Sequence, residues 1–77
     1  MTIIGIIYRD DDKMPLNLAV PHFAGLFRAK TGRHAQEIAV SAKQYSGEAV
    51  PDVIGGFPVV LDDYVFAWHY WARERQE

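Results

Sequence analysis

Residues 64–77 read YVFAWHYWARERQE, and six of the first eight are aromatic or histidine. A helix turns about 100° per residue, so a helix here would have two unlike sides. One side would carry Tyr64, Val65, Trp68, Trp71 and Ala72. The other side would carry Phe66, His69, Tyr70 and Arg73. The spacing of the two tryptophans predicts that the first side packs on a sheet, with Asp62 as the cap of the helix and Asp63 in its first turn.

The second side of this predicted helix is then at least partly exposed. An aromatic face left uncovered on a small domain indicates a protein contact, and Tyr, Trp and Arg are the residue types that most often dominate binding energy. We therefore predict a partner-binding face made of Phe66, His69, Tyr70 and Arg73. Self-association about a two-fold axis, giving a homodimer, is its simplest form. The alternative is that the N-terminal loop or the first helix covers this face.

Length and composition fit one folded domain over residues 1–77. Apolar residues make up 49% of the chain and aromatic residues 13%, which argues against disorder. The chain has no cysteine, so a disulfide framework and a thiolate metal site are both excluded. The N-terminus has no basic region, and its apolar run is far shorter than the ~20 residues that span a bilayer. We expect a cytoplasmic protein with no membrane partner.

Upstream of residue 64, the stretch FPVVL (57–61) is a strand candidate that follows two glycines suited to a tight turn. Residues 35–46 are ambiguous, because their apolar positions fit both a strand and a helix. A strand is favoured, since a sheet needs partners and few other strand candidates remain.

The N-terminal half gives two further elements. TIIGIIY (2–8) is an apolar, β-branched run that predicts a central strand buried on both faces, followed by a polar loop that ends at Pro15. In VPHFAGLFRAKTG (20–32), Val20, Phe23, Ala24 and Phe27 follow helical spacing, with Pro21 in the first turn and Gly32 as the C-terminal cap. The order is then β-α-β-β-α, an α+β domain with helices on one face of a short sheet.

Catalysis is the least favoured function class. His22, His34 and His69 are far apart in sequence, and no phosphate loop, Gly-x-Ser-x-Gly or zinc-binding spacing is present. The run of three aspartates at 10–12 lacks the spaced oxygen ligands of a calcium loop. We therefore predict no catalytic residue, no metal site and no cofactor.

DNA binding is the alternative reading. If residues 35–46 are helical, the region from Phe23 to Tyr45 has the layout of a helix-turn-helix with Gly32 in the turn. Its basic side chains, which would meet phosphates, are Arg28, Lys30, Arg33 and Lys43. Nucleic acid is a partner in this reading alone, and the acidic net charge of −2 argues against it.

Taken together, a short, acidic, cysteine-free α+β domain with an aromatic C-terminal segment resembles the small inhibitor proteins of phages and mobile elements, the anti-CRISPR proteins in particular. The stretch IGGFPVVLDDY (54–64) is similar to phage-protein sequences. The resemblance implies evasion of host defence, by occluding a CRISPR-Cas surveillance complex at a basic groove. The acidic residues that could meet such a groove are Asp10, Asp11, Asp12, Glu48 and Asp52.

Overall fold

The computed structural model describes the backbone of residues 2–76 and the side chains of residues 4–74. Residues 2–76 contain five strands and one helix. The fold is α+β. The elements in chain order are β1 (Thr2–Arg9), α1 (Leu16–Thr31), β2 (Glu37–Ser41), β3 (Val53–Ile54), β4 (Phe57–Asp62) and β5 (His69–Gln76). No helix in this part of the chain has the length and apolar character needed to cross a membrane.

The strands form one mixed sheet in the order β1-β5-β2-β4-β3. β5 pairs antiparallel with β1, from Thr2 opposite Gln76 to Arg9 opposite His69. On its other side β5 pairs antiparallel with β2, and β2 runs parallel to β4. The C-terminal strand therefore joins the first strand to the rest of the sheet.

The predicted C-terminal helix is wrong. Residues 63–68 form a loop and residues 69–76 form β5, whereas residue 77 lies outside the described part. Asp62 does not cap a helix, since it is the last residue of β4 and its Oδ1 accepts a hydrogen bond from the Tyr64 N–H at 2.8 Å. Aromatic residues favour strands, and two neighbouring strands satisfy the backbone of this segment.

α1 confirms the clearest sequence signal. Val20, Phe23, Ala24 and Phe27 are all buried, and Gly32 ends the helix with a φ of 74°, where its N–H bonds to the Arg28 carbonyl. This left-handed conformation suits glycine because other residues bring Cβ close to the backbone. The predicted start of the helix was wrong. The helix begins at Leu16, so Pro21 lies inside it rather than in its first turn.

The core lies between α1 and one face of the sheet, called here the core face. Phe23 of α1 stacks between two strand tyrosines, with ring centroids 5.5 Å from Tyr8 and 5.0 Å from Tyr70. Side chains alternate along a strand, so Tyr70 and Ala72 of β5 point to the core face. The opposite face, called the open face, carries Trp71 and Arg73 and has no helix over it in the described structure.

The order of elements was only roughly predicted. Residues 37–41 are a strand, which confirms the preferred reading of the ambiguous segment, and 57–62 is a strand as expected. The two-residue β3 was missed. β1 is a strand but not a central one, because it lies at the edge of the sheet and Ile7 is 58% exposed.

Candidate functional site

Three loops meet at one end of the sheet, called here the loop end. They are residues 10–15 after β1, residues 42–48 after β2 and residues 63–68 before β5. The strand directions produce this meeting, because β1, β2 and β4 all run toward this end and β5 starts there. α1 also begins there, directly after Pro15.

A chain of hydrogen bonds ties these loops together. The Asp10 N–H donates to the Trp68 carbonyl at 2.8 Å, and Asp10 Oδ2 accepts from the Met14 N–H at 2.8 Å. The Trp68 N–H donates to Gln44 Oε1 at 2.6 Å, and Gln44 Nε2 donates to the Tyr45 hydroxyl at 3.3 Å. Hydrogen bonds at several points therefore hold the three loops in fixed positions relative to one another.

The network continues into the core. The hydroxyls of Tyr45 and Tyr70 share a hydrogen bond of 3.0 Å. Burial raises the pKa of Tyr70 well above its ordinary value, and the bond to Tyr45 and the nearby Asp10 carboxylate add to the effect. Burial also raises the pKa of Tyr8. Both phenols are therefore neutral over the physiological pH range. Tyr70 serves both packing and hydrogen bonding, whereas the buried Tyr8 hydroxyl has no hydrogen-bond partner among the described residues.

A pocket of about 350 Å³ opens between the loops. It is lined by Lys13, Met14, Pro15, Leu16, Gln44, Tyr45, Glu48 and Trp68. The Lys13 ammonium lies 5.7 Å from the centre of the Trp68 ring, close enough for a cation–π interaction. Both residues have left-handed backbone conformations, with φ of 51° and 61°. Such conformations cost about 1–3 kcal/mol each, so the surrounding contacts must hold this wall in place.

The most exposed aromatic residues of the described chain belong to the same loop as the pocket residue Trp68. Tyr64 is 90% exposed and Phe66 is 78% exposed, both in the loop before β5. Phe66 contacts His69 edge to face, with ring centroids 6.1 Å apart. The Nδ1–H of His69 donates to the Ala67 carbonyl at 2.9 Å, which leaves Nε2 as an acceptor when the ring is neutral. Phe66 was expected to be exposed, and it is.

Exposed carboxylates occur in all three loops of the loop end. Asp11 and Asp12 are exposed in the first loop, Glu48 in the second and Asp63 in the third. Asp11 pairs with Arg9 at 2.6 Å, an exposed contact worth about 0–1 kcal/mol. Acidic residues outnumber basic ones at this end of the molecule. The loop end therefore combines exposed aromatic surface with negative charge.

The structure brings together five of the residues predicted to bind a partner, although they come from distant parts of the sequence. Phe66, His69, Asp11, Asp12 and Glu48 all lie at the loop end. Asp52 does not join them. Its carbonyl accepts from the Val59 N–H at 2.8 Å, and its exposed side chain lies at the β3 side of the sheet.

Three other predicted contact residues are buried, which corrects the expectation that their side chains face solvent. Tyr70 is 0% exposed beneath α1, because strand alternation turns it to the core face. Asp10 is buried where it holds the first loop to Met14. Arg73 is also buried, although on the open face. None of the three side chains is free to meet a partner.

Arg73 is instead the centre of an ion cluster on the open face. Its Nη2 lies 2.7 Å from Glu37 Oε2, and its Nη1 lies 3.4 Å from Asp62 Oδ2. The guanidinium carbon lies 4.6 Å from the centre of the Trp71 ring. Gly5 makes room for this ring, because a Cβ at residue 5 would overlap the indole Nε1. The cluster binds β5, β2 and β4 together across the face that has no helix.

The basic residues of the DNA-binding alternative do not form one surface. Arg28 and Lys30 lie in the last turn of α1, and Arg33 follows it and lies 3.5 Å from Glu74. Lys43 lies in the loop after β2, toward the opposite end of the molecule. The second helix of a helix-turn-helix is absent from residues 2–76, because its sequence forms β2.

Two groups of residues at the loop end were not predicted from the sequence. Tyr64 was placed on the buried side of a helix, although the Asp-Asp pair before it is also typical of a turn. Trp68 was placed on that same side, and Lys13 and Gln44 were given no role. Lys13, Gln44 and Trp68 come together only in the folded chain. They are 24 to 55 residues apart, and no local pattern links them before the strands pair.

Comparisons with protein-family models, with curated proteins and with solved structures found no match. Within residues 2–76, no group of three or more His, Asp or Glu side chains is arranged to hold a metal ion.

Proposed function

We propose that this domain is a non-enzymatic protein-binding module that contacts its partner through the loop end. The observation that carries the proposal is the exposure of Tyr64 and Phe66 on loops that are otherwise hydrogen-bonded into the sheet. Aromatic side chains contribute a large contact area at low entropy cost, and such residues commonly anchor protein interfaces.

The chemistry of the loop end indicates a basic partner. Asp11, Asp12 and Glu48 are exposed in the loops of the loop end and would be attracted to Lys and Arg side chains. Such charges raise association rates and fix orientation, while the buried aromatic side chains slow dissociation. Grooves that hold nucleic acid are basic surfaces of this kind.

The narrower form of the proposal is inhibition of a CRISPR-Cas surveillance complex, in the manner of anti-CRISPR proteins from phages and mobile elements. The domain would occupy the groove that holds guide or target nucleic acid, and so take the place of phosphates with its carboxylates. The acidic and aromatic loop end supports this form, together with the small size of the domain. A cytoplasmic location follows from it, because that is where such complexes act.

The test measures binding of the purified domain to a panel of purified CRISPR-Cas complexes, by interferometry, with and without bound target DNA. We expect micromolar or tighter binding to one complex, which excess target DNA competes away. Phe66→Asp should weaken this binding by about 2 kcal/mol, or roughly 30-fold, because an apolar anchor is lost.

Val53→Asp is the matched control, since Val53 is 56% exposed and lies at the far end of β4 from the loop end. It should bind as the wild type does. Equal loss in both variants would contradict an interface at the loop end. Binding to no complex in the panel would remove the inhibitor proposal, and the protein-binding module would then need a basic partner of another class.

A further inference from the structure

β1 is an unprotected sheet edge. Its eight residues pair with β5 in continuous register from Thr2 to Arg9, and in the described chain no other element bonds to its backbone. The sequence TIIGIIYR contains no proline and only one charge. Natural proteins usually protect such an edge with prolines, bulges, charges or a covering element, because it can pair with another strand.

The opposite edge shows what a protected strand looks like in the same sheet. β3 is two residues long, and its partner residue Pro58 has no N–H to donate. Val53 on β3 and Ile7 on β1 have nearly equal exposure, at 56% and 58%. Both lie on the open face. The two edges therefore differ in backbone length and protection rather than in apolar character.

α1 has an apolar surface beside β1 as well. Pro21 packs near Gly55, between β3 and β4, while Phe23 stacks on Tyr8 of β1. At 100° per residue, Leu26 lies next to Phe23 and away from Pro21, on the side of the helix turned toward β1. Leu26 is exposed. The free edge thus has apolar side chains on both sides, Leu26 beside the core face and Ile7 on the open face.

We propose that the protein forms a two-fold symmetric dimer in which β1 pairs antiparallel with β1 of a second copy, joining two sheets into one of ten strands. The two-fold axis is perpendicular to the sheet, so the core face of one copy continues into the core face of the other. Ile4 and Ile6 of one copy then contact the same isoleucines of the other copy on the core face. Ile7 is covered on the open face.

A second copy suits this edge better than a strand of another protein. In an antiparallel pair the two Arg9 side chains lie at opposite ends, so like charges are kept apart. Each unpaired backbone group of one β1 meets the complementary group of an identical strand. A two-fold arrangement also uses up both free edges, which closes the assembly at two copies and leaves only the short β3 edges.

The available surface is sufficient for a weak dimer. Eight residues at about 3.4 Å each give an edge about 27 Å long, and the smallest dimension of the molecule is 20 Å. The product of these two lengths is a buried area of roughly 500 Å² on each copy. The dimer would therefore bury about 1,000 Å² in total, near the lower limit for a specific interface. The expected dissociation constant is micromolar. The two loop ends would point in opposite directions, and both would be free.

The test is sedimentation equilibrium of the 77-residue chain from about 1 µM to about 1 mM, with hydrogen exchange of β1 amides at both extremes. The wild type should change from monomer to dimer, and the β1 amides that do not bond to β5 should exchange more slowly at high concentration. Ile7→Lys should raise the dimer Kd at least about 30-fold, since each dimer loses two apolar contacts. Val53→Lys should leave the Kd unchanged.

Leu26→Lys gives a second disruption from the helix side, and circular dichroism checks that each variant is folded. A wild type that stays monomeric at 1 mM overturns the proposal, and so does one that forms oligomers larger than two. A dimer that survives both Ile7→Lys and Leu26→Lys also overturns it, as does a dimer that Val53→Lys dissociates equally. A monomer whose β1 pairs with an added extended peptide would assign the edge to a foreign strand instead.

Discussion

Neighbouring residues of β5 have opposite surroundings, although they belong to one strand. Tyr70 and Ala72 lie beneath α1, where they pack with Phe23 and have no solvent exposure. Trp71 and Arg73 lie on the open face, where no helix of the described chain covers them and an ion cluster joins the strands instead. The comparison shows two ways to stabilise a sheet face in a small domain, one by apolar packing and one by charged side chains that shield the backbone.

The largest expected difference between the faces comes from introducing a charge at adjacent positions. Tyr70→Asp should unfold the domain, because it removes an aromatic core residue worth about 3–5 kcal/mol and buries an unpaired carboxylate. Trp71→Asp should leave a folded protein, since that side chain is partly exposed. Urea unfolding followed by circular dichroism measures both. Similar stability in the two variants would contradict the assignment of β5 to two unlike faces.

Removal of the open-face cation should have an intermediate effect. Arg73→Met keeps much of the side-chain length but removes the guanidinium that contacts Glu37 and Asp62. Because both carboxylates are largely buried, we expect a loss of about 2–4 kcal/mol in the free energy of unfolding.

Arg33→Met is the matched control for this substitution. Arg33 lies 3.5 Å from Glu74 in a more exposed pair, so its loss should cost less than about 1 kcal/mol. If the two variants lose equal stability in urea unfolding at the same ionic strength, the open face is not stabilised by the Arg73 cluster.

The smallest effect at neutral pH should come from Tyr70→Phe, which removes one hydroxyl from the core face. Loss of its hydrogen bond to Tyr45 should cost about 1 kcal/mol. At high pH the effect reverses in sign. The folded pKa of Tyr70 is raised above its ordinary 10.0 by burial, so the stability that this group contributes is present below pH 10 and lost above it.

The wild type should therefore lose up to about 1.4 kcal/mol per pH unit above pH 10 from this tyrosine, and Tyr70→Phe should not. Urea unfolding at pH 7, 9, 10 and 11 measures both slopes. Tyr64→Phe, at an exposed tyrosine, should keep the wild-type slope. Parallel slopes for wild type and Tyr70→Phe would show that the buried phenol does not control alkaline unfolding.

The parts of the site differed in how far they could be predicted. The exposure of Phe66 was expected, although from a helix that does not form, and an acidic loop after the first strand was also expected. The expected exposure of Tyr70 and Arg73 followed from a helical period that the segment does not have. With period two, Tyr70 joins the core and Arg73 the open face, so one wrong choice of secondary structure moved both residues to the wrong environment.

The sequence by itself determined the elements whose patterns are local. The apolar residues of α1 follow the helical period and not the strand period, and a glycine stands where the left-handed cap is needed. The local sequence was therefore enough to predict a helix there. β1 and β4 are short, β-branched runs bounded by turn residues, and both are strands. The absence of cysteine also excluded disulfides from the outset.

Only the tertiary structure decided the conformation of residues 64–76 and the make-up of the loop end. Apolar residues are almost continuous from Tyr64 to Trp71, so helical and strand periods both fit, and propensity alone could not separate them. The strand conformation is favoured because β5 pairs with β1 on one side and with β2 on the other, with Thr2 opposite Gln76. The same long-range pairing brings residues 10–15, 42–48 and 63–68 together, because loops meet wherever strand directions bring them.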